Sequence, residues 1–151
     1  MPDGAQLTGM EWFPLVFDVP LIDLIAAKPV DPGDPDRGLS FVVTEQVLNA
    51  GGVLHGGVLG TVLDLAAYLS VLRTIGRGQQ AVTHALAASY LAAARPGETL
   101  VATGSLLRRS RNLAFTAATV TSGERLIATA SVTKSIIDVD PQSAIPGGPP
   151  R

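Results

Sequence analysis

The sequence contains no cysteine, and its 151 residues include only two histidines, His55 and His84. Without cysteine the chain has no disulfide bond, no thiolate nucleophile and no cysteine-ligated zinc site. Two isolated histidines without clustered carboxylates make a poor set of metal ligands. We therefore expect chemistry that does not use a metal ion.

Charged residues are also scarce, at 16% of the chain against 46% hydrophobic residues. The formal net charge of -2 argues against a general nucleic-acid-binding protein. A chain of this length forms one domain with a sizeable core, and so high an apolar fraction predicts self-association. The start lacks a basic segment, and the apolar run 57–72 is interrupted by Asp64. We expect a cytoplasmic protein without a signal peptide or a membrane span.

A polar loop with four glycines leads into this longest apolar run. From Gly57 the run is long enough for a helix of four to five turns that ends near Arg73. Residues three and four apart lie along one stripe of such a helix. The small and polar residues with this spacing are Gly57, Gly60, Thr61, Asp64 and Tyr68. The stripe predicts a space above the carboxylate.

Asp64 is the only charged residue between His55 and Arg73. Burying a charge is unfavourable unless it is paired or hydrogen-bonded, so Asp64 is either a satisfied structural residue or a group kept for chemistry. The free N–H groups and the dipole at a helix start stabilise developing negative charge. Such a start, with a carboxylate two turns along, predicts hydrolysis of an activated acyl group. The carboxylate can attack directly or take a proton from water, and the sequence leaves both routes open.

The rest of the chain predicts an α+β layout in which a curled antiparallel sheet wraps the central helix. A short helix is expected at 21–25 and a first strand at Leu39–Thr44. Four later strands are predicted to form a meander: Gln80–Leu91, Thr99–Arg108, Leu113–Thr121 and Glu124–Ile137. We expect residues 1 to about 10 and 141–151 to be loose tails around a single domain with its core at about 38–137.

Several short motifs occur together in this core. In chain order they are Asn49, His55-Gly56-Gly57, Asp64, Val82-Thr83, Tyr90-Leu91, Pro96-Gly97, Leu113-Ala114-Phe115 and Ala128-Thr129-Ala130. An asparagine six residues before the histidine and an aspartate nine after it make the set specific. Over about residues 38–137 the chain resembles the hotdog-fold acyl-CoA thioesterases of the phenylacetic-acid-degradation (PaaI) type.

The resemblance implies a hotdog fold and an enzyme that hydrolyses acyl-CoA to a free acid and coenzyme A, without a cofactor. It implies that Asp64 is the nucleophile or general base and that Gly56 donates its backbone N–H to the thioester oxygen. Asn49 would orient the carbonyl or the water, in a site completed by Asp64 of the other protomer. Thr83 would contact the water or the carboxylate, and His55 would brace the loop or lie near the sulfur.

The remaining expected contacts concern the substrate. We expect Gly57 and Tyr68, on the helix stripe, to contact it. Three arginines flank the predicted hairpin turn after the second meander strand: Arg108, Arg109 and Arg111. They form either a solvated turn that keeps a sheet edge soluble or a contact with the phosphates of coenzyme A. We predict the phosphate contact, and we interpret His84 as a structural or surface residue.

Two other functions stay open at this point. A hotdog hydratase or dehydratase would act on enoyl or hydroxyacyl thioesters, although its usual His-Phe-Pro turn is absent here. A module that binds acyl-CoA without cleaving it is the second, and an unpaired carboxylate near a thioester argues against it. The sequence does not choose among aromatic, medium-chain and branched acyl groups. We expect a homodimer that pairs into a homotetramer, with dimer versus tetramer left open, and no nucleic-acid or membrane partner.

Overall fold

The computed structural model describes residues 7–139, which form a helical segment and a six-stranded sheet around one long helix. The α-helices are α1 (Gly9–Trp12), α2 (Pro20–Ile25) and α3 (Gly56–Val71). The strands are β1 (Lys28–Pro29), β2 (Leu39–Val42), β3 (Gln79–Tyr90), β4 (Thr99–Arg109), β5 (Leu113–Ser122) and β6 (Arg125–Asp138). Single turns of 3₁₀ helix lie at Leu15–Phe17, Pro35–Arg37, Glu45–Val47 and Leu72–Thr74.

Helix α3 lies in the concave side of the sheet. Ten of its sixteen residues are buried, because apolar side chains occur on almost all sides of the helix. The backbone of α3 touches the sheet directly: a Cβ atom on Gly104 of β4 would lie 2.2 Å from the carbonyl oxygen of Ala66. By length and hydropathy alone Gly56–Thr74 could cross a membrane, but its burial identifies it as the core helix. The predicted hotdog fold is confirmed.

The predicted four-strand meander is wrong for β3. The antiparallel sheet has the order β1-β2-β4-β5-β6-β3, so that β4, β5 and β6 form a meander while β3 lies at the far edge beside β6.

The connection from β3 to β4 explains this arrangement. The Pro96-Gly97 turn predicted tight pairing of these strands, but residues 91–98 instead cross the end of the sheet. Leu91 donates its N–H to the carbonyl of Ile127, and the carbonyl of Ala94 accepts from Leu54. The Pro-Gly turn only directs the chain into β4.

The first described residues are packed rather than loose, so the expectation of a tail to about residue 10 is wrong for residues 7–10. Leu7 is buried, and the N–H of Gly9 donates to the carbonyl of Ile75 at 3.1 Å. A Cβ atom on Gly9 would lie 1.9 Å from the carbonyl oxygen of Leu72, so glycine is needed for this close approach. Residues 1–6 and the predicted tail 141–151 lie outside the described residues.

One row of residues across the sheet sets the level of the site. Thr83 on β3 is paired with Lys134 on β6, Lys134 with Ala114 on β5, and Ala114 with Arg109 on β4. Paired residues point to the same face, and Ala114 and Lys134 are buried, so this face is the one turned toward α3. The strand pairing is irregular at both ends of the row, after Thr83 on β3 and between Leu106 and Arg108 on β4.

Candidate active site

Every fourth residue of α3, counted from Gly56, faces the edge strand β3. Gly56 and Gly60 lie against the ring of Tyr90, Asp64 is hydrogen-bonded to Thr83, and Tyr68 is hydrogen-bonded to Gln80. The helix and β3 therefore run in opposite directions along this contact. Because β3 has no neighbour on its outer side among the described residues, Gly56, Gly60 and Asp64 are partly exposed there. Tyr68, at the far end of the stripe, is buried.

The carboxylate of Asp64 is held by two donors on the same oxygen. Its Oδ1 accepts from the hydroxyl of Thr83 at 2.7 Å and from Nζ of Lys134 at 2.8 Å. The second oxygen, Oδ2, has no recorded partner within residues 7–139. The side chain of Asp64 is 36% exposed, whereas that of Lys134 is 2% exposed. The carboxylate thus has one bound oxygen and one oxygen left for a ligand or water.

Lys134 is a site residue that the sequence interpretation missed. It is fully buried on β6, where burial lowers the pKa of its ammonium group and the adjacent charge of Asp64 opposes that shift. The alternation of inward and outward residues along β6 could have identified it. Ala128, Ala130, Val132 and Ile136 are the other inward residues of the strand, and Lys134 falls in the same series.

Tyr68 supports this ion pair from the helix side. Its ring centroid lies 5.8 Å from Nζ of Lys134, and its hydroxyl donates to Oε1 of Gln80 at 2.6 Å. The phenol is buried, which raises its pKa and keeps it neutral. This ring offers little surface to a ligand, so the structure gives no support to the predicted substrate contact of Tyr68.

The start of α3 leaves one backbone donor available. His55 is the N-cap, and its Nδ1 accepts the N–H of Gly57 at 2.9 Å. The carbonyl of His55 accepts from Val58 and Leu59. Among the described residues, the N–H of Gly56 is the one in this first turn without a recorded partner. The N–H of Gly56 is therefore free to bind a ligand, whereas that of Gly57 is bound to His55, which braces the loop.

A pocket of about 320 Å³ lies at this end of the helix. Its lining includes Asn49, Gly56, Leu59 and the residues 90–94. The Oδ1 of Asn49 accepts from Gly51 at 2.9 Å and from Val53 at 3.3 Å, so its side chain also shapes the glycine loop. Tyr90, known from the sequence only as part of the Tyr90-Leu91 motif, forms the aromatic wall over the helix start. A methyl group on Gly56 would lie 3.3 Å from its Cε2.

The pocket and the carboxylate are separate within one chain. Asp64 lies eight residues after Gly56 on α3, which corresponds to about 12 Å along the axis. Thr61, between them, donates its hydroxyl to the carbonyl of Gly57 at 2.9 Å. A single small carbonyl group cannot reach Gly56 and Asp64 of the same chain at hydrogen-bond distance.

The three arginines differ in their surroundings. Arg109 folds back on its own hairpin, where its NH1 donates to the carbonyls of Ser110 and Arg111. Arg108 and Arg111 are exposed, and they have no recorded side-chain partner in the described part of the chain. These two are therefore available to an external anion.

His84 lies apart from the carboxylate. Its Nδ1 is 3.1 Å from Oγ of Ser135, and the side chain is exposed at the irregular position of β3. Across residues 7–139 no three histidine, aspartate or glutamate side chains are grouped closely enough to hold a metal ion.

The chain is similar in sequence to known proteins. It is 31% identical over 133 residues to a putative esterase of Pseudomonas aeruginosa, PA0474, covering 87% of this chain and 93% of that protein. It is 35% identical over 80 residues to acyl-coenzyme A thioesterase 13 of Homo sapiens, covering 53% of this chain and 56% of that enzyme.

Solved structures are similar as well. A putative thioesterase from Ralstonia eutropha, described as phenylacetic acid degradation-related, matches with a TM-score of 0.68 and 29% identity over 82% of this chain and 98% of that one. The protein smu.793 of Streptococcus mutans, bound to acetyl CoA, matches with a TM-score of 0.59 and 26% identity over 67% and 80% of the two chains.

The family model of the thioesterase superfamily matches residues 51–129, which include the glycine-rich helix start, α3, β3, β4 and β5. The matched region contains Gly56, Asp64 and Thr83. With the fold and these relatives in agreement, the chain belongs to the thioesterase superfamily.

Proposed function

We propose that this protein is an acyl-CoA thioesterase of the PaaI type, which hydrolyses the thioester to a free acid and coenzyme A. The observation that carries the proposal is the carboxylate of Asp64, held through Oδ1 and free at Oδ2, on a helix whose start presents the free N–H of Gly56. Membership of the thioesterase superfamily and the similarity to acyl-coenzyme A thioesterase 13 support it.

The N–H of Gly56 polarises the thioester carbonyl. It lies at the positive end of the α3 dipole, in the pocket that Asn49 and Tyr90 line. As the carbonyl carbon becomes tetrahedral, its oxygen gains negative charge and this donor stabilises it. Gly57 does not contribute its amide, because His55 already accepts that proton.

Asp64 supplies the second half of the reaction. As a general base, Oδ2 takes a proton from water while the water oxygen bonds to the carbonyl carbon; as a nucleophile, Oδ2 forms that bond itself and water then cleaves the anhydride. In either route the carbon–sulfur bond breaks, the thiolate receives a proton and coenzyme A leaves as the thiol. Asp64 acts with Oδ1 already held by Thr83 and Lys134, so its orientation is set before the substrate arrives.

The complete site requires two chains. The edge strand β3 is twelve residues long and contains no charged residue and no proline, and it exposes Val82, Leu86 and Tyr90. A long apolar edge of this kind pairs with another strand. Antiparallel pairing of two β3 strands, with Tyr90 opposite Thr83 of the second copy, would bring Gly56 beside Asp64 of that copy. We therefore propose a homodimer with two sites at the interface.

Our first prediction concerns Asp64→Asn. The amide oxygen can still accept from Thr83 and Lys134, so the fold should persist, but the amide cannot act as a base or nucleophile. We expect kcat to fall by at least about 10²-fold, as for the loss of a positioned acid–base group.

Free thiol released from several acyl-CoA substrates measures this change. Asp23→Asn, an exposed carboxylate on α2, is the matched control and should keep full activity. Binding of acyl-CoA without thiol release by the wild-type protein would favour the binding module, and water addition to an enoyl thioester would favour the hydratase. Near wild-type turnover in Asp64→Asn would exclude the carboxylate mechanism.

Our second prediction concerns the shared site. In a mixed dimer of Asn49→Ala and Asp64→Asn chains, one site receives both defects and the other receives neither. Two inactive parents should therefore give a heterodimer with about half of the wild-type activity.

Coexpression with two different affinity tags isolates the heterodimer for this assay. Because Asn49 also braces the glycine loop, Asn49→Asp, which keeps the acceptor oxygen, should be paired with Asp64→Asn in parallel. A heterodimer as inactive as its parents would mean that each site is built within one chain.

Our third prediction concerns coenzyme A. The row through Thr83, Lys134 and Ala114 ends at Arg109, so the arginine hairpin lies at the level of Asp64. Replacing Arg108 and Arg111 together by alanine should raise KM for acyl-CoA and leave short thioesters without the nucleotide unaffected, because only phosphate contacts are lost. Arg37→Ala, at an exposed turn, is the control. Equal effects on both substrates would mean that the hairpin is a solvated turn and does not contact the phosphates.

A further inference from the structure

Lys134 is the one charged residue that the described chain buries completely. Its exposed fraction is 1%, and it lies in the middle of β6 among apolar neighbours that face α3. Transferring an ammonium group from water into such a setting is unfavourable unless hydrogen bonds and an opposite charge compensate it. Its retention here needs an explanation beyond the packing of the sheet, since a methionine would fill the same space.

The hydrogen bonds around Lys134 form a closed triangle. Nζ lies 2.8 Å from Oδ1 of Asp64 and 2.8 Å from Oγ1 of Thr83, and that hydroxyl lies 2.7 Å from the same Oδ1. An ammonium group can only donate, so Thr83 accepts from Lys134 and must give its own proton to Asp64. Two of the three bonds therefore end on Oδ1 of Asp64, and the third links Lys134 to it through Thr83.

The other groups around Lys134 add no competing charge. From α3, Asp64 faces it as the anion and Tyr68 as a neutral ring at 5.8 Å. From the neighbouring strands it meets Thr83 on β3 and Ala114 on β5, neither of which titrates. Arg109 lies one strand further along the same row and is bound to its own hairpin. The ammonium group thus acts on Asp64.

We propose that Lys134 is the positioning residue of the thioesterase site: it anchors Oδ1 of Asp64, directly and through Thr83, so that Oδ2 alone is presented to the thioester or to water. This inference rests on the proposed function of Asp64. Lys134 itself, buried behind the carboxylate, touches neither substrate nor water.

This role differs from a purely structural ion pair. A structural pair would stabilise the fold, and its replacement by apolar residues of similar volume is often neutral or stabilising. A positioning residue instead changes the reactivity of the group that it holds, because misplacing a reacting group by about 1 Å costs on the order of 10²-fold in rate. The two roles are separable by measuring kcat and thermal stability in the same variants.

The kinetic test uses Lys134→Met and Lys134→Gln. We expect Lys134→Met to keep the fold and a KM within about threefold of wild type while kcat falls roughly 10- to 100-fold. Lys134→Gln, which can still donate to Oδ1, should keep more of kcat.

A double-mutant cycle shows whether Lys134 acts through Asp64. Lys134→Met should lower kcat in the wild-type background and change nothing in the Asp64→Asn background. An equal loss in both backgrounds, or a wild-type kcat in Lys134→Met, would overturn the proposal. Lys28→Met, at the exposed end of the sheet, is the matched control and should behave as wild type.

An NMR titration tests the contact between Lys134 and Asp64 without depending on turnover. The chain has two lysines, so selective ¹³Cε-lysine labelling gives two NMR signals, with Lys28 as the internal reference. Because burial lowers the pKa of Lys134, its signal should titrate at lower pH than that of Lys28, and Asp64→Asn should move it lower still. A Lys134 signal that titrates with Lys28 and ignores Asp64→Asn would reject the contact. If the wild-type protein cleaves no acyl-CoA, the proposed function is wrong. The NMR titration would still show whether Lys134 contacts Asp64.

Discussion

The ion pair between Asp64 and Lys134 joins the central helix to the sheet at the only place where the described core holds charge. Helix α3 is apolar on almost every side, so a carboxylate on it requires a partner in the sheet that surrounds it. Lys134 provides that partner, and Thr83 shares the same oxygen. The position of Asp64 next to the edge strand β3 then leaves its second oxygen accessible, because the sheet ends there. A carboxylate deeper in the sheet would be held equally well but could not meet a substrate.

The start of the same helix imposes a second constraint. His55 closes the first turn with its ring and its carbonyl, which leaves the N–H of Gly56 as the free donor. About 12 Å of helix separates this donor from Asp64, so one chain holds the two halves of a hydrolytic site too far apart to use them together. The unprotected edge of β3 provides the means to unite the halves from two copies. Dimerisation and catalysis thus depend on the same strand.

The sequence predicted the elements well where local pattern determines them. The long helix from Gly57 and the last three strands agree with the structure to within a few residues, because periodicity and turn chemistry are local signals. The placement of β3 was wrong, since the Pro96-Gly97 turn says nothing about which strand lies beside it. Strand order depends on long-range contacts. One is the hydrogen bond from the N–H of Leu54 to the carbonyl of Ala94, in the segment that crosses the end of the sheet.

The candidate site was predictable in part for the same reason. The glycine-rich helix start and the lone carboxylate Asp64 are visible in the sequence pattern, whereas Asn49 and Gly56 became candidates through the family resemblance. Lys134 lies seventy residues away and was missed, although its inward register on β6 could have marked it as a buried cation that needs an anion. Tyr68, expected at the substrate, instead packs against that cation.

A crystal structure with an acyl-CoA analogue in which a methylene group replaces the thioester sulfur tests the central claim most directly. We expect the ketone oxygen to lie between about 2.7 and 3.1 Å from the backbone nitrogen of Gly56 of one chain. Its carbonyl carbon should face Oδ2 of Asp64 of the second chain, while Oδ1 keeps its bonds to Lys134 and Thr83. A carbonyl group bound away from Gly56, or an Asp64 that turns from Lys134 to meet the ligand, would contradict it.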